Sequence, residues 1–365
     1  MTTVGSIVDR FIFEEYKTSA SSLGLFRILY AANMLFVILP SNLWVSKFTD
    51  SFFNPPIGMT MFFTGFPGRS FFLVLNSLAI VAAIFLLFGC WTRTASIALA
   101  LLLLTGNSWA YSFGKINHDI FEILIPFVMQ FAGWGNEHSV DAQRLVAAGV
   151  KEKETAAWPV ALLALMVGLA MMTAASAKAM SGWLDPHAHA VQAHVLANDL
   201  VAGRSSWFGE QMLRIRSGVF WKALDYSTVL IEGGFLLTVV RRRAFRVVCA
   251  LACFLHLGIA LTMEIAYTDI LVAYAAFCDW SILESRFGNL LAAWNRFLGR
   301  ISSRSLLVGA AFVAFVYLRF GNPLQFHEEW DPVGVASCVL ATIIATIFLV
   351  GLIRSSLRSP TVASF

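Results

Sequence analysis

Long apolar stretches alternate with short polar connections along almost the whole chain. Most of them approach the length of about 17 to 25 residues that a helix needs to cross the hydrocarbon core of a bilayer. A transmembrane barrel would instead show alternating segments of about ten residues. The pattern therefore predicts an all-α, polytopic helical membrane protein with about ten transmembrane helices: 23–40, 71–89, 94–112, 119–135, 156–177, 224–240, 245–263, 267–283, 305–320 and 333–353.

Composition strengthens this assignment and narrows the range of partners. Hydrophobic residues make up 58% of the 365 residues, charged residues make up only 13%, and the mean hydropathy is +0.73. A water-soluble domain would carry roughly twice that charge. The chain contains no dinucleotide fingerprint, phosphate loop or basic face for nucleic acid. We therefore expect contact with membrane lipid and none with nucleic acid.

Two charged stretches, 7–16 and 286–300, have the spacing of amphipathic helices that lie on a membrane surface. In both, apolar residues recur at helical spacing and charged residues occupy the opposite face. With the apolar spans, they divide the chain into three parts. We expect a cytoplasmic amphipathic segment at 1–22, a helical membrane domain at 23–285, and an interfacial helix with two further transmembrane helices at 286–365.

The distribution of Lys and Arg predicts the orientation, because cytoplasmic loops of membrane proteins are rich in both. Arginines cluster at 241–246 and 286–304 and follow the last span. The connections between these clusters contain no basic residue, and the second of them is acidic. The loops therefore alternate, which places both termini in the cytoplasm of a membrane like the bacterial inner membrane. The segments expected on the non-cytoplasmic side are 41–70, 113–118 and 178–223.

Lys178 is the most informative single residue. It follows 23 residues without a charge, 155–177, and precedes a turn that contains Trp183. A lysine at the end of an apolar span either extends its amine to water or is held in a low-dielectric cavity. In a cavity, an amine loses its charge more readily and can act as a base. The function depends largely on which alternative applies.

A second group of polar residues lies where the fourth span begins. Lys115, Asn117 and His118 precede Glu122 there. If a helix starts near His118, its imidazole and the Glu122 carboxylate share one face, four residues apart. A neighbouring carboxylate raises the basicity of an imidazole, which favours a functional site. A polar cap at the helix N-terminus explains the same residues equally well.

Three further ionisable residues fall inside predicted spans, where such residues are costly and are usually paired or functional. Glu232 and His256 lie on neighbouring spans, and either a structural hydrogen bond between helices or catalysis accounts for them. Arg27 in the first span is either a buried partner of an acid or a residue that extends to the membrane surface. We favour buried pairing, since Glu232 and Glu122 both need partners.

Metal binding is not expected. His187, His189 and His194 lie close together, but apart from Asp185 no acid or cysteine of the outward segments has the spacing of a metal ligand. The five cysteines lie in or beside predicted spans and none lies in an outward loop. They therefore imply neither a disulfide framework nor a metal site.

Several short motifs occur in a particular order: LGLFRIL at 23–29, GCWTR at 89–93, INH at 116–118, SVDA at 139–142, ASAKAM at 175–180, Glu232, and the segment 254–265. In order and spacing they resemble the HTTM ("horizontally transferred transmembrane") family, which includes the membrane domain of vitamin K-dependent γ-carboxylases. The resemblance covers about residues 20–285.

The resemblance implies a chemistry. In the carboxylases, a lysine at the position matching Lys178 removes a proton from reduced vitamin K. Oxygen then turns the quinol into a strong base that takes the γ-proton of a peptide glutamate, and carbon dioxide adds to the carbanion. A histidine matching His118 assists. We therefore expect a reduced quinone as cofactor, with Lys178 and His118 catalytic. The supporting residues, drawn from the groups described above, are Lys115, Asn117, Glu122, Arg27, Glu232 and His256.

The chain also departs from the carboxylases, which carry a large extramembranous domain for the peptide, whereas two spans follow residue 285 here. Many bacterial HTTM proteins lack that domain. We expect a membrane enzyme that couples deprotonation and oxidation of a lipid quinol to a carboxylation-like modification of a secreted peptide at the non-cytoplasmic face. Two alternatives stay open: a non-catalytic component of a peptide or toxin maturation or export system, and a quinone-linked redox protein similar to the DoxX proteins.

Overall fold

The computed structural model describes residues 4–38, 42–114, 119–150, 154–201, 203, 206–320 and 332–358. These residues form helices and turns without a β-strand, which confirms the all-α class. The α-helices of this part of the chain are α1 (Val4–Arg10), α2 (Ala20–Asn33), α3 (Arg69–Phe88), α4 (Thr92–Tyr111), α5 (Ile120–Met129), α6 (Val140–Ala147), α7 (Trp158–Lys178), α8 (Ala190–Leu200), α9 (Trp207–Leu213), α10 (Gly218–Thr238), α11 (Arg242–Met263), α12 (Thr268–Ala275), α13 (Ile282–Leu298), α14 (Ser303–Phe320) and α15 (Pro332–Arg358).

Six helical stretches of the described chain are long and apolar enough to cross a membrane: Ala20–Lys47, Arg69–Phe88, Thr92–Tyr111, Trp158–Trp183, Arg242–Met263 and Pro332–Ser355. The pair α13 and α14, bent by 98° at their junction, adds a seventh if it forms one broken span. These helices support an integral membrane protein that contacts lipid. The count of about ten spans is not confirmed.

The difference in span number has a physical reason. The predicted spans 119–135 and 267–283 contain α5 and α12, which have 10 and 8 residues. Such helices extend only about 15 and 12 Å, less than the hydrocarbon core of about 30 Å. The predicted span 224–240 overlaps α10, which is long enough but carries Lys222, Asp225 and Glu232.

The chain folds into two compact units. Unit 1 comprises residues 1–163 and 272–325, and unit 2 comprises 164–271 and 326–365. In unit 1, α3 packs against α2, α4 and α14, and α4 also packs against α5. In unit 2, α10 packs against α8 and α11, and α11 also packs against α9 and α15. The predicted boundaries at residues 22 and 285 stay predictions.

Both stretches with amphipathic spacing are helical. Residues 7–16 form the end of α1 and a wider π-helical turn, Phe11–Glu15, after which the side chain of Tyr16 is buried. Residues 286–300 fall mostly in α13, where the apolar side chains of Phe287 and Leu290 are exposed. Exposed apolar groups on a charged helix are typical of a helix that lies on a membrane surface. The location of these two helices on the membrane surface stays a prediction.

Arg27 holds together the core of unit 1. Its side chain is completely buried in α2. Nη1 donates to the carbonyl oxygens of Trp134 (3.1 Å) and Glu137 (3.4 Å), and Nη2 donates to that of His138 (2.6 Å). A planar guanidinium suits this role because its donors point in fixed directions. Arg27 therefore fixes the connection between α5 and α6 to α2.

Two of the short motifs meet at the same place. Gly89 adopts a left-handed conformation (φ 64°) after α3, and a Cβ there would lie 2.6 Å from Nη1 of Arg27. Asp141 accepts hydrogen bonds from the backbone nitrogens of Trp91 (2.9 Å) and Thr92 (2.7 Å), which begin α4. The motifs GCWTR and SVDA are thus joined by hydrogen bonds from the start of α4 to the Asp141 carboxylate.

We expect substitution of Arg27 to destabilise the protein, because its role in the described structure is structural. Arg27→Met leaves three buried carbonyl oxygens without their donor, which costs about 2–4 kcal/mol. Titration with sodium dodecyl sulfate in mixed micelles measures the free energy of unfolding. The control is Arg69→Met at the exposed start of α3, which should change this energy by less than about 0.5 kcal/mol. Equal stability of the two variants would contradict the assignment.

Candidate functional site

Lys178 lies at the C-terminal end of α7, where the helix widens. The turn Ala179–Trp183 is π-helical and contains Gly182 in a left-handed conformation (φ 89°). Only glycine adopts this conformation without strain. The chain turns back here, so that the amine of Lys178 lies 5.4 Å from the centre of the Trp183 ring. A cation above an indole face is attracted by the ring quadrupole.

The amine of Lys178 forms an ion pair with Glu232. Its Nζ atom lies 2.7 Å from Oε1 and 2.8 Å from Oε2, so it donates to both carboxylate oxygens. The exposed fraction of the side chain is 26% for Lys178 and 9% for Glu232. The amine is therefore bound by a largely buried carboxylate, and the charges of the pair compensate one another.

Glu232 belongs to a row of buried polar residues on α10, which we call the polar seam. Its members are Lys222, Asp225, Thr228 and Glu232, spaced three, three and four residues apart, so they share one face of the helix. Apolar residues such as Leu230 and Leu237 are exposed on other faces. A helix with polar groups inside and apolar groups outside is typical of lipid surroundings, where the buried polar groups must find partners.

Lys222 and Asp225 form a second ion pair on this seam. Asp225 is fully buried and its Oδ2 lies 2.8 Å from Nζ of Lys222. The same carboxylate accepts hydrogen bonds from the backbone nitrogens of Ala190 (3.1 Å) and Val191 (2.8 Å) at the start of α8. Lys222 also donates to the carbonyl oxygen of Trp183 (3.0 Å). This pair therefore fixes both ends of the segment 183–191 beside Lys178.

Two histidines of unit 2 lie against aromatic rings. The ring of His194 on α8 is 5.5 Å from that of Trp183. His256 on α11 is buried, and its ring is 5.5 Å from that of Tyr267. His194 thus extends the aromatic surface that Trp183 presents next to the Lys178–Glu232 pair.

Of the other predicted site residues, Arg27 and Glu122 belong to unit 1. Lys115, Asn117 and His118 lie outside the described residues. Glu122 is buried near the start of α5, and its backbone carbonyl accepts a hydrogen bond from the hydroxyl of Tyr30 (2.5 Å). Arg27 binds the backbone carbonyls described above. The structure thus brings Lys178 and Glu232 together, while the proposed pairing of Lys178 with His118 stays a prediction.

Sequence reasoning missed Lys222, Asp225 and the role of Trp183. One signal was present: Asp225 and Glu232 are seven residues apart and so share a helix face. Both acids therefore point to the same buried side of α10. The pair Lys222 and Asp225, three residues apart, resembles an ordinary surface ion pair in sequence, which conceals its burial.

One group of described residues has the composition of a metal site. Ligand atoms of Glu137, His138 and Glu284 lie within 4.8 Å of one another. The hydroxyl of Ser21 lies between them, 3.0 Å from Nε2 of His138, and also donates to Glu284. Asn295 Oδ1 lies 3.2 Å from Nδ1 of His138. Hydrogen bonds within the chain thus occupy both imidazole nitrogens.

A family model of the HTTM domain matches residues 16–279. The matched range contains Lys178, Trp183 and the whole polar seam. Neither a curated protein nor a solved structure matches the chain. The family match therefore stands beside the geometry as independent support for a membrane domain of this kind.

Loss of the Asp225 carboxylate should destabilise the segment that carries Trp183. Asp225→Ala leaves Lys222 as a buried, unpaired cation and removes the acceptor for two backbone N–H groups, which costs about 3–5 kcal/mol. Asp185→Ala is the matched control, because the carboxylate of the exposed Asp185 accepts only the N–H of His187 among the described contacts. Its cost should stay below about 1 kcal/mol. Detergent unfolding titrations measure both, and similar costs would show that Asp225 has no special role.

Proposed function

The chain belongs to the HTTM domain family, and from this premise we propose that it is an integral membrane enzyme of quinol chemistry. The Lys178–Glu232 pair takes a proton from a lipid-soluble quinol. Oxidation of the deprotonated quinol by dioxygen would then drive a carboxylation-like modification of a secreted peptide, with carbon dioxide as the added group, at the non-cytoplasmic face. The observation that carries the proposal is the largely buried ion pair of Lys178 with both oxygens of Glu232.

Burial makes this ion pair sensitive to a nearby charge or proton. An ion pair in low-dielectric surroundings responds strongly to the addition of one charge or one proton, because water does not screen the change. Perturbed ionisable groups of this kind cluster at functional sites. The Asp225 carboxylate, by contrast, accepts from Lys222 and from two backbone N–H groups, which commits it to a structural role. The described hydrogen bonds of the Glu232 carboxylate come from Lys178 alone.

The residues around the pair fit a flat hydroxyaromatic ligand. Trp183 and His194 offer neighbouring ring faces on which an aromatic ring can stack. Lys178 offers N–H donors for a ligand oxygen, and Glu232 offers an acceptor for a hydroxyl proton. When bound, a quinol supplies an ionisable hydroxyl group and two reducing equivalents. The protein residues supply its orientation and the transfer of the proton.

Two features of the proposed function rest on the sequence alone. The charge bias places Lys178 on the non-cytoplasmic side and both termini in the cytoplasm. The family resemblance implies that His118 assists Lys178. Two alternatives are a non-catalytic component of peptide maturation or export, which would not oxidise a quinol, and a DoxX-like redox protein, whose quinol oxidation would not depend on added peptide.

Removal of the Lys178 amine should abolish quinol oxidation. We expect Lys178→Met in lipid nanodiscs to oxidise menadiol at least about 100-fold more slowly than the native chain, the typical cost of removing one positioned donor that stabilises a developing charge. Oxygen consumption and quinone absorbance measure the rate, with and without added peptide. Lys47→Met, which changes an exposed lysine, should leave the rate unchanged. An unchanged rate in a correctly inserted Lys178→Met variant would remove Lys178 from the site, and an inactive native chain would favour the non-catalytic alternative.

The orientation can be tested with single cysteines. Ser181→Cys, next to the site, should react with a membrane-impermeant maleimide in intact cells, whereas Ser302→Cys between α13 and α14 should react only after permeabilisation. Both serines are exposed, and four of the five native cysteines are buried, so Cys278→Ser gives a suitable background. Labelling of Ser302→Cys alone in intact cells would reverse the proposed topology.

A further inference from the structure

We infer that Glu232, and not Lys178, is the group that accepts the proton, and that Lys178 remains an ammonium group that stabilises the negative charge left behind. The inference rests on the proposed function and assigns the roles within its site. It departs from the role of base that the family resemblance gives to Lys178. Its basis is the hydrogen-bond geometry of the pair and the contrast with the second ion pair on α10.

The contacts of Lys178 are those of an ammonium group. Its Nζ lies 2.7 and 2.8 Å from the two oxygens of Glu232. Donation to both oxygens of one carboxylate is typical of hydrogen bonds from a charged nitrogen. The contact of the amine with the face of Trp183 is also one that favours a cation.

Proton counting then leaves one acceptor. An ammonium group has no lone pair, so a further proton that enters the pair must be bound by a carboxylate oxygen. In the step, the O–H bond of the ligand hydroxyl breaks, a new O–H bond forms at Glu232, and the electron pair stays on the ligand oxygen. Lys178 keeps its three N–H bonds. The step needs no oxidant and leaves the total charge unchanged.

The same step releases Lys178 for its second role. Neutral Glu232 attracts the ammonium group less strongly than the carboxylate did, while the new negative charge on the ligand attracts it more. The proton acceptor and the group that stabilises the anion are therefore coupled by one ion pair. No second base is required at this site.

Asp225 lies on the same helix face as Glu232, and all of its described contacts are structural. It is fully buried, and its oxygens accept from Lys222 and from two backbone N–H groups. Protonation there would break a structural network. Glu232 retains some exposure and accepts described hydrogen bonds only from Lys178. Of the two acids on the polar seam, Glu232 is therefore the one free to gain a proton.

Arginine at position 178 separates the two roles. A guanidinium group keeps the charge and the two-pronged bond to a carboxylate, but it cannot act as a base in a protein. We expect Lys178→Arg to oxidise menadiol within about tenfold of the native rate. Glu232→Gln removes the acceptor and should lower the rate at least about 100-fold. Glu154→Gln, at an exposed position, is the matched control and should change nothing.

A second measurement does not depend on turnover. Infrared difference spectra, recorded without oxygen when menadiol is added to the chain in nanodiscs, should show the carbonyl band of a newly protonated carboxyl group. The band should persist in Lys178→Arg and Glu154→Gln. It should shift in Glu232→Asp, which keeps an acceptor, and this variant continues the test if Glu232→Gln does not fold.

The outcomes separate the inference from the proposed function. A folded Lys178→Arg variant that loses at least about 100-fold in rate and shows no carboxyl band would make the Lys178 amine the base. That result overturns the inference and leaves the proposed function in place. A native chain that neither oxidises menadiol nor changes its infrared spectrum overturns the proposed function and the inference with it.

Discussion

A charged group in low-dielectric surroundings needs a partner, and unit 2 is organised by this constraint. The buried face of α10 carries one cation and two anions, Lys222, Asp225 and Glu232. Lys222 and Asp225 compensate each other and bind the backbone at Trp183 and at the start of α8. Glu232 is compensated by Lys178 of α7. The electrostatic requirement therefore determines how α7, α8 and α10 are joined.

The same requirement is met differently in unit 1. Arg27 was expected to pair with an acid, but the described partners of its guanidinium are backbone carbonyls of the connection between α5 and α6. Partial negative charges in a fixed arrangement satisfy a guanidinium without a second buried ion. Together with Gly89 and Asp141, Arg27 makes three short motifs of the family pattern parts of one scaffold. Motifs that occur together in a sequence thus separate into structural and chemical groups in the fold.

The helical class followed directly from the length of the apolar stretches, because backbone groups in lipid must be satisfied within a helix. The number of spans did not, since α5 and α12 end after few residues although the apolar sequence continues around them. The position of Lys178 at the end of α7 could be inferred from the uncharged stretch before it. Its partner could not, because Glu232 is 54 residues away and the pairing depends on how α7 and α10 pack. Burial of Asp225 was equally hidden, since local spacing does not reveal which face of a helix meets its neighbours.

The two ion pairs of α10 also bear on how the protein is made. Lys222 and Asp225 lie three residues apart, so they neutralise each other within a single helix as soon as it forms. Glu232 has its counter-charge on α7, which the ribosome completes earlier. If α10 crosses the bilayer, as the sequence predicts, an uncompensated acid within it opposes insertion by about 2.5–3.5 kcal/mol. The charge of Glu232 is therefore compensated only once α7 is in place. Because α7 precedes α10 in the chain, its lysine is already available when α10 is synthesised.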